Sequence, residues 1–360
     1  MEQFFGYTLG KMTNRNAGTC LWCFGTKNGK EYFIKQFLNP KYPYQDKVLS
    51  PERIEKKKKQ CKENVARKVR VYDAVNRFSD GNDVRIYEFF RYEQKYYLSM
   101  EKIEELEWSI LDVYELPEKE RRRLCALIAH AVAGLHRGGL AHSDLKHENI
   151  LFTKSDNGTL TIKVIDFDSA FFEADEIKSE DISGDWVYFS PEVWGRFDEI
   201  DCHLTCKIDI FALGVLFHQY FSGDVPGFDR ETGCTAAGQA VQQGLPLTIS
   251  DKIPADIREL LVRMLDVNPE KRPTAMEVFR AFQPEELRAL AGAEPEPAPN
   301  AEPAPDDRPP RYCTNCGKQY RGDGFLCAEC AAKEADNRKA PAPTNFFKSG
   351  GDFFNRPSGF

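Results

Sequence analysis

The chain has 360 residues, of which 41% are apolar and 12% aromatic, and a formal charge of −7. That is enough apolar material for a folded core and enough length for a two-lobed domain with an appendage. The acidic balance argues against a dedicated nucleic-acid binder, and no window holds the ~20 apolar residues that a membrane span needs.

No N-terminal stretch pairs a charged start with an apolar core, so no secretory signal is expected and the protein reads as soluble and cytoplasmic. Its eleven cysteines should then stay reduced.

Tyr7 to Phe37 reads as three strands. Lys27-Asn28-Gly29-Lys30 fits a type I′ hairpin, because Asn and Gly both accept positive φ. Residues 51–77 read as one long charged helix opened by Ser50-Pro51-Glu52. The run Lys56-Lys57-Lys58-Lys59 lies within it, in a charge-mixed stretch, and reads as a solvated face. Val84 to Phe90 and Lys95 to Met100 read as two further strands. From Pro117 onward helices dominate, at 117–138, 205–222 and 254–266. The expected fold class is α+β, strands first and helices after. Cys20-Leu21-Trp22-Cys23 is a C-x-x-C, but a strand would point its thiols to opposite faces. Cys202 and Cys206, around His203, read as packing residues.

Residues 291–310 contain seven Pro, several acids and no large apolar side chain. Such a segment cannot bury a core and is expected to be an extended linker reaching up to about 60 Å. Cys313-x2-Cys316-x10-Cys327-x2-Cys330 follows, with Gly317 after the first pair. Two thiolate pairs supply four soft ligands for one tetrahedral Zn2+. Four-cysteine closure leaves no open coordination position, so the metal would be structural, and so small a ribbon should unfold without it. Residues 334–360 are expected to be disordered. Their Phe346-Phe347, Phe353-Phe354 and Phe360 fit either a docking motif or loose contact with the chain's own domain.

The densest chemistry lies in His142-Ser143-Asp144-Leu145-Lys146-His147-Glu148-Asn149 and in Ile165-Asp166-Phe167-Asp168. One Asp to receive a hydroxyl proton, an Asn and an Asp to hold divalent metal, and a Lys to neutralise phosphate make a phosphoryl-transfer set. These segments resemble the H-R-D-L-x-x-x-N and D-F-G motifs of the protein kinase superfamily. The resemblance runs over roughly residues 5–285. It implies a bilobal kinase-like fold over residues 1–286, a linker over 287–310, a zinc ribbon over 311–333 and a tail over 334–360.

It also implies roles. Asp144 would be the base, and Lys146 would sit by the transferring phosphate, as in Ser/Thr-directed members. Asn149 and Asp166 would hold Mg2+. Lys35 would contact the α- and β-phosphates of ATP and pair with a helix glutamate, Glu63 first and Glu55 second. Gly18 would close the phosphate loop. Met100 would be the gatekeeper, Glu101 and Ile103 would read the purine edge, and Leu151 would form its floor. Gly184 to Glu192 resembles G-T-P-x-Y-x-A-P-E, with Glu192 paired to Arg272 and Asp209 bracing the catalytic loop.

Five departures matter. The stretch Thr13-Asn14-Arg15-Asn16-Ala17-Gly18 keeps one glycine of three, so backbone cradling of phosphate should be poorer. Phe33 stands where a small Ala is usual. Ser143 replaces the Arg that would bind a phosphorylated activation loop, so activity should not depend on loop phosphorylation. Asp185 replaces a Thr and would bring a second carboxylate near Asp144, in reach of Lys146. Asp168 replaces the glycine.

The implied activity is transfer of the γ-phosphoryl of Mg-ATP to Ser or Thr of a protein substrate, with the ribbon recruiting a partner protein. Membranes and nucleic acids are not expected partners. The alternative is a pseudokinase that binds nucleotide or partners without efficient catalysis. Ser190-Pro191-Glu192 opposes a small-molecule kinase.

Overall fold

A computed structural model describes residues 3–14, 20–44, 48–283, 311–316, 318–320 and 324–332. Gly18 and the rest of the glycine-poor loop from Arg15, Gly317, the linker and the Phe-containing tail lie outside the described residues.

The N-terminal lobe is built on strands β1 (Gln3–Phe4), β2 (Tyr7–Leu9), β3 (Cys20–Lys27) and β4 (Lys30–Phe37), helix α1 (Pro51–Phe78), and strands β5 (Ile86–Tyr92) and β6 (Lys95–Glu101). The six strands form one antiparallel sheet in the order β1-β2-β3-β4-β6-β5. Asn28 (φ 52°) and Gly29 (φ 76°) turn β3 into β4, the two positive φ values of a type I′ turn. Alternation then gives the sheet two faces. One buries Tyr7, Leu9, Cys23, Ile34, Phe90 and Tyr97 together. The other carries Phe33 and Lys35, set in register against Met100 and Leu98 of β6. Cys20 and Cys23 therefore point apart.

Helix α1 starts where Ser50 Oγ accepts the Arg53 amide at 3.4 Å. Its lysine run lies on the outer half, while Cys61, Val65, Lys68, Val69, Tyr72 and Val75 form the buried stripe, at helical spacing. Asn76 ties the helix end to β5: its Nδ2 donates to Ile86 O at 2.8 Å and its Oδ1 accepts the Ile86 amide at 3.1 Å.

The second lobe is mainly helical. Its elements are α2 (Ile110–Tyr114), α3 (Glu118–Arg137), β7 (Leu140–Ala141), β8 (Ile150–Lys154), β9 (Leu160–Val164), β10 (Phe171–Phe172), α4 (Pro191–Phe197), α5 (Lys207–Ser222), α6 (Ala237–Gln242), α7 (Ala255–Met264) and α8 (Ala275–Phe282). Helix α5 is apolar around its circumference and buried from Ile208 to Ser222, as a central helix should be. Around it, β7 pairs with β10 and β8 with β9. The loop after β7 and the loop after β9 thereby emerge side by side, and the site lies there. No helix among the described residues is long and apolar enough to cross a membrane.

Strands β11 (Arg311–Tyr312) and β12 (Gln319–Tyr320) pair as a short ribbon. It packs on the N-terminal lobe. The Tyr312 ring lies 4.7 Å from Phe5, the Phe325 ring lies 6.0 Å from Tyr72 of α1, and the Thr314 hydroxyl donates to Phe89 O. Phe325 is 2% exposed and joins the main core.

Candidate active site

The loop after β7 is held from below. Asp209, near the start of α5, is fully buried and accepts the amides of His142 at 2.7 Å and Ser143 at 2.9 Å, plus His136 Nε2 at 2.9 Å. Burial alone would raise this carboxyl, but the His136 contact and the loop donors hold it below the ordinary value. The two amides are presented because Ser143 adopts a left-handed backbone, φ 68°. His142 Nε2 meets Ile165 O at 2.9 Å and the Ile165 amide donates to Asn149 O at 3.0 Å. The two loops are thus locked together.

Asp144 is fixed by three donors. Lys146 Nζ lies 3.0 Å from Oδ2, Asn149 Nδ2 donates to Oδ2 at 3.0 Å, and the Asp185 amide donates to Oδ1 at 3.0 Å. Asn149 Nδ2 also donates to Asp144 O at 2.6 Å. With its nitrogen so committed, Asn149 has Oδ1 left as the hard-oxygen face of its amide. Asp185 does not act through its carboxylate on Lys146, as its sequence position led us to expect. Its Oδ1 instead caps the turn at Val187 N, 3.0 Å away, and only its amide reaches Asp144. Gly184, at φ 151°, passes so close that a Cβ there would lie 2.8 Å from Phe189 and 3.2 Å from Asp144 Oδ1.

Lys35 closes the site from the sheet. Its Nζ lies 2.9 Å from Asp166 Oδ1 and 2.7 Å from Asp168 Oδ2. Burial opposes its charge, but Asp168 and then Asp166 raise its pKa above the ordinary lysine value. Asp166 is left-handed, at φ 62° and ψ 73°, which turns its carboxylate toward Lys35. The expected helix partner is corrected. Glu63 is exposed and faces Lys59 at 4.0 Å, and Glu55 is likewise exposed and pairs with Lys58 at 2.7 Å. Both point away from the sheet. The α1 residue that does reach this corner is Lys68, 3.0 Å from Asp168 Oδ1, and Tyr72 donates its hydroxyl to the same oxygen at 3.1 Å. Sequence reasoning missed Lys68 and Tyr72. The available signal was a lysine interrupting the apolar stripe Cys61-Val65-Val69-Tyr72.

The remaining expected residues lie in β6, just after it, and in β8. Met100 is buried, and Ile103 and Leu151 are half-buried. Glu101 donates its amide to Arg85 O at 2.9 Å and its carboxylate accepts Lys163 at 2.8 Å. Phe33 stacks on Trp22, with centroids 5.3 Å apart and planes at 18°. Below, Arg272 is 2% exposed and grips Glu192 through two bonds of 2.7 Å. In the ribbon, the four thiol sulfurs of Cys313, Cys316, Cys327 and Cys330 lie within 4.8 Å of one another. That donor set fits a tetrahedral Zn2+.

Among curated proteins, the chain is 28% identical over 287 residues to calcium-dependent protein kinase 27 of Arabidopsis thaliana, covering 76% of this chain and 53% of that protein. It is 32% identical over 200 residues to the putative serine/threonine-protein kinase YPL150W of Saccharomyces cerevisiae, covering 54% and 21%. It is 31% identical over 203 residues to the mitosis inducer protein kinase cdr1 of Schizosaccharomyces pombe, covering 55% and 32%. The chain thus spans about half the length of these relatives or less. The family model of the protein kinase domain matches residues 18–282, nearly three quarters of the sequence. Motifs, bilobal fold and family match agree, and the chain belongs to the protein kinase domain family.

Proposed function

We propose that this chain is a Ser/Thr protein kinase that transfers the γ-phosphoryl of Mg-ATP to a protein hydroxyl. The observation that carries this reading is the meeting of two interlocked loops, bearing Asp144, Lys146, Asn149 and Asp166, with the buried Lys35 of the sheet.

Asp144 receives the proton of the attacking hydroxyl, and its three donors hold the carboxylate in one orientation. Lys146, 3.0 Å from it, offsets charge on the moving phosphoryl group. Lys35 takes the α- and β-phosphates, and Met100, Ile103 and Leu151 enclose the purine. The Glu101 amide is committed to Arg85, so reading of the purine edge by that residue falls to its carbonyl. Asn149 Oδ1 and Asp166 offer hard oxygens that would hold Mg2+, which neutralises phosphate charge when bound. The four cysteines would hold a structural Zn2+. We take residues 1–286 as the kinase domain, 287–310 as the linker and 311–333 as the ribbon. The ribbon side bearing exposed Cys316 and the Lys318–Glu329 pair is our assignment for partner recruitment.

The stack of Phe33 on Trp22, on the sheet face next to the purine space, favours a second reading, a pseudokinase. One comparison separates the two. Parent and Asp144→Asn are incubated with Mg-ATP and a Ser/Thr peptide library, and phosphate incorporation and nucleotide affinity are measured. The kinase reading expects a loss of about 10² to 10⁴ in rate with nucleotide binding retained. Equal incorporation by both proteins removes Asp144 as base. Binding without turnover in the parent establishes the pseudokinase.

A further inference from the structure

The corner where Lys35 meets the metal loop is wired in reverse of the expected pattern. A lysine on the phosphate strand should face a glutamate on the following helix. Here α1 offers a second lysine instead. Lys68 is 9% exposed and sits on the same buried stripe as Val65 and Tyr72. Glu63 lies five positions earlier, about 140° around the helix, and its side chain is 64% exposed. The missing carboxylate comes from the loop after β9. Asp168 reaches Lys35 with Oδ2 at 2.7 Å and Lys68 with Oδ1 at 3.0 Å, and the Tyr72 hydroxyl donates to Oδ1 at 3.1 Å.

We infer that Asp168 is the positioning residue for the nucleotide lysine, a charge-swapped substitute for a helix glutamate, and that through Lys68 and Tyr72 it also fixes α1 against the site. This inference rests on the kinase-type nucleotide site described above and deepens it.

Charge counting supports it. Two buried or half-buried lysines share this corner with Asp166 and Asp168. Asp166 is also the residue that would turn to a divalent ion when Mg-ATP binds. Asp168 is then the carboxylate left to hold both cations, and without it Lys35 and Lys68 would repel each other in a poorly solvated pocket. The swap also accounts for two departures at once. A glycine after the metal-loop Phe together with a lysine on the helix would leave two lysines facing Asp166 alone, so Asp168 and Lys68 make sense as a pair.

The test is a charge-exchange cycle in the full chain, read by equilibrium binding of Mg-ATP. Asp168→Asn keeps shape and removes charge, and should weaken binding about tenfold or more. Asp168→Gly should do the same, and Lys68→Glu alone should also weaken it by setting a second carboxylate against Asp168. The double variant Lys68→Glu with Asp168→Gly puts a carboxylate back on the helix and should return to within about threefold of the parent. Thermal melts establish that each variant folds. If the Asp168 variants do not melt cooperatively, Tyr72→Phe removes one hydroxyl bond, keeps the buried ring, and should weaken binding about threefold. Parent-like affinity of Asp168→Asn or of Tyr72→Phe overturns the inference. So does a double variant no better than Asp168→Gly. Because the readout is binding, a parent that binds Mg-ATP without transferring phosphate defeats the kinase reading alone. A parent that binds none defeats both.

Discussion

Replacing Asp209 should cost the protein both stability and catalytic geometry. Its side chain is fully buried and accepts two backbone amides and one imidazole at 2.7 to 2.9 Å. Asp209→Ala would leave the His142 and Ser143 amides unpaired in a site that water does not reach easily. A hydrogen bond to a charged acceptor contributes about 1.5–3 kcal/mol. Two such losses give roughly 3–6 kcal/mol, with about another 1 kcal/mol no longer offset for the left-handed Ser143. Asp209→Asn is a sharper probe, since one face of its amide carries N–H groups that oppose a backbone donor. It should fall between parent and Asp209→Ala. Urea unfolding measures the loss directly. Phosphoryl transfer should fall in the same order at full nucleotide saturation, because Ser143 adjoins Asp144 and sets its direction. The depressed Asp209 pKa gives a pH signature. Its contribution is present above the unfolded value near 4 and is lost as pH falls through the lower folded value. The parent should therefore lose stability below about pH 4 more steeply than Asp209→Ala. A loss under about 1 kcal/mol, or an unchanged acid limb, would refute this account of the loop.

Asp83 should behave in the opposite sense. It is 2% exposed, and burial raises its carboxyl to about 7. The folded chain then keeps a proton that the unfolded chain releases, so stability falls as pH rises from about 4 to about 7, by roughly 4 kcal/mol. Asp83→Asn should flatten that slope in urea titrations at pH 5 and pH 8, and an unchanged slope would contradict it. Glu192→Leu should destabilise by about 3–5 kcal/mol by stranding the buried Arg272 guanidinium, while Glu192→Leu with Arg272→Met should cost less than the single change. Thermal melts of both decide it. The purified chain should carry one equivalent of zinc by elemental analysis. Cys327→Ser should lose it and lower the melting temperature, as should a strong chelator. A metal content near zero in the folded parent would remove the zinc assignment.

What could be read from the residues was whatever local chemistry decides. Asn28-Gly29 announced its hairpin because few other pairs accept two positive φ values, and the turn has them. Ser50 announced the start of α1 because its side chain can accept an orphan amide, and it does so from Arg53. The two motif segments, 142–149 and 165–168, were visible because their residue types sit at fixed spacings along the chain. The partner of Lys35 was not visible, since it depends on the phase of a long helix. Residues 51–78 contain seven turns or more of plausible positions, and only packing against the sheet decides which face turns inward. That face carries Cys61, Val65, Lys68 and Tyr72, and so the nearby glutamates point to solvent. Asp185 misled for a similar reason. Its residue type suggested a carboxylate for Lys146, but a side chain that short can also cap its own turn, and it caps Val187.

The same distinction applies to the ribbon. Four cysteines in two close pairs announce their own cluster by spacing alone, and their sulfurs do converge, yet nothing in that spacing says where the module rests. Its place follows from large side chains outside the cysteine pattern. Tyr312 and Phe325 would be exposed on a free ribbon of this size, and here they meet Phe5 and Tyr72. Burying two aromatic side chains in this way is worth a few kcal/mol at most, after the cost of ordering the module is subtracted. Docking is therefore of the size that folding of the ribbon can switch. The residue against which Phe325 packs is Tyr72, and its hydroxyl holds Asp168. The cysteine ribbon and the corner of Lys35, Lys68 and Asp168 thus share one buried ring. Phe325→Ala, which leaves all four thiols in place, should retain zinc while loosening both the ribbon and α1. Hydrogen exchange around Tyr72 would record that loosening, and unchanged protection there with zinc retained would separate the two sites.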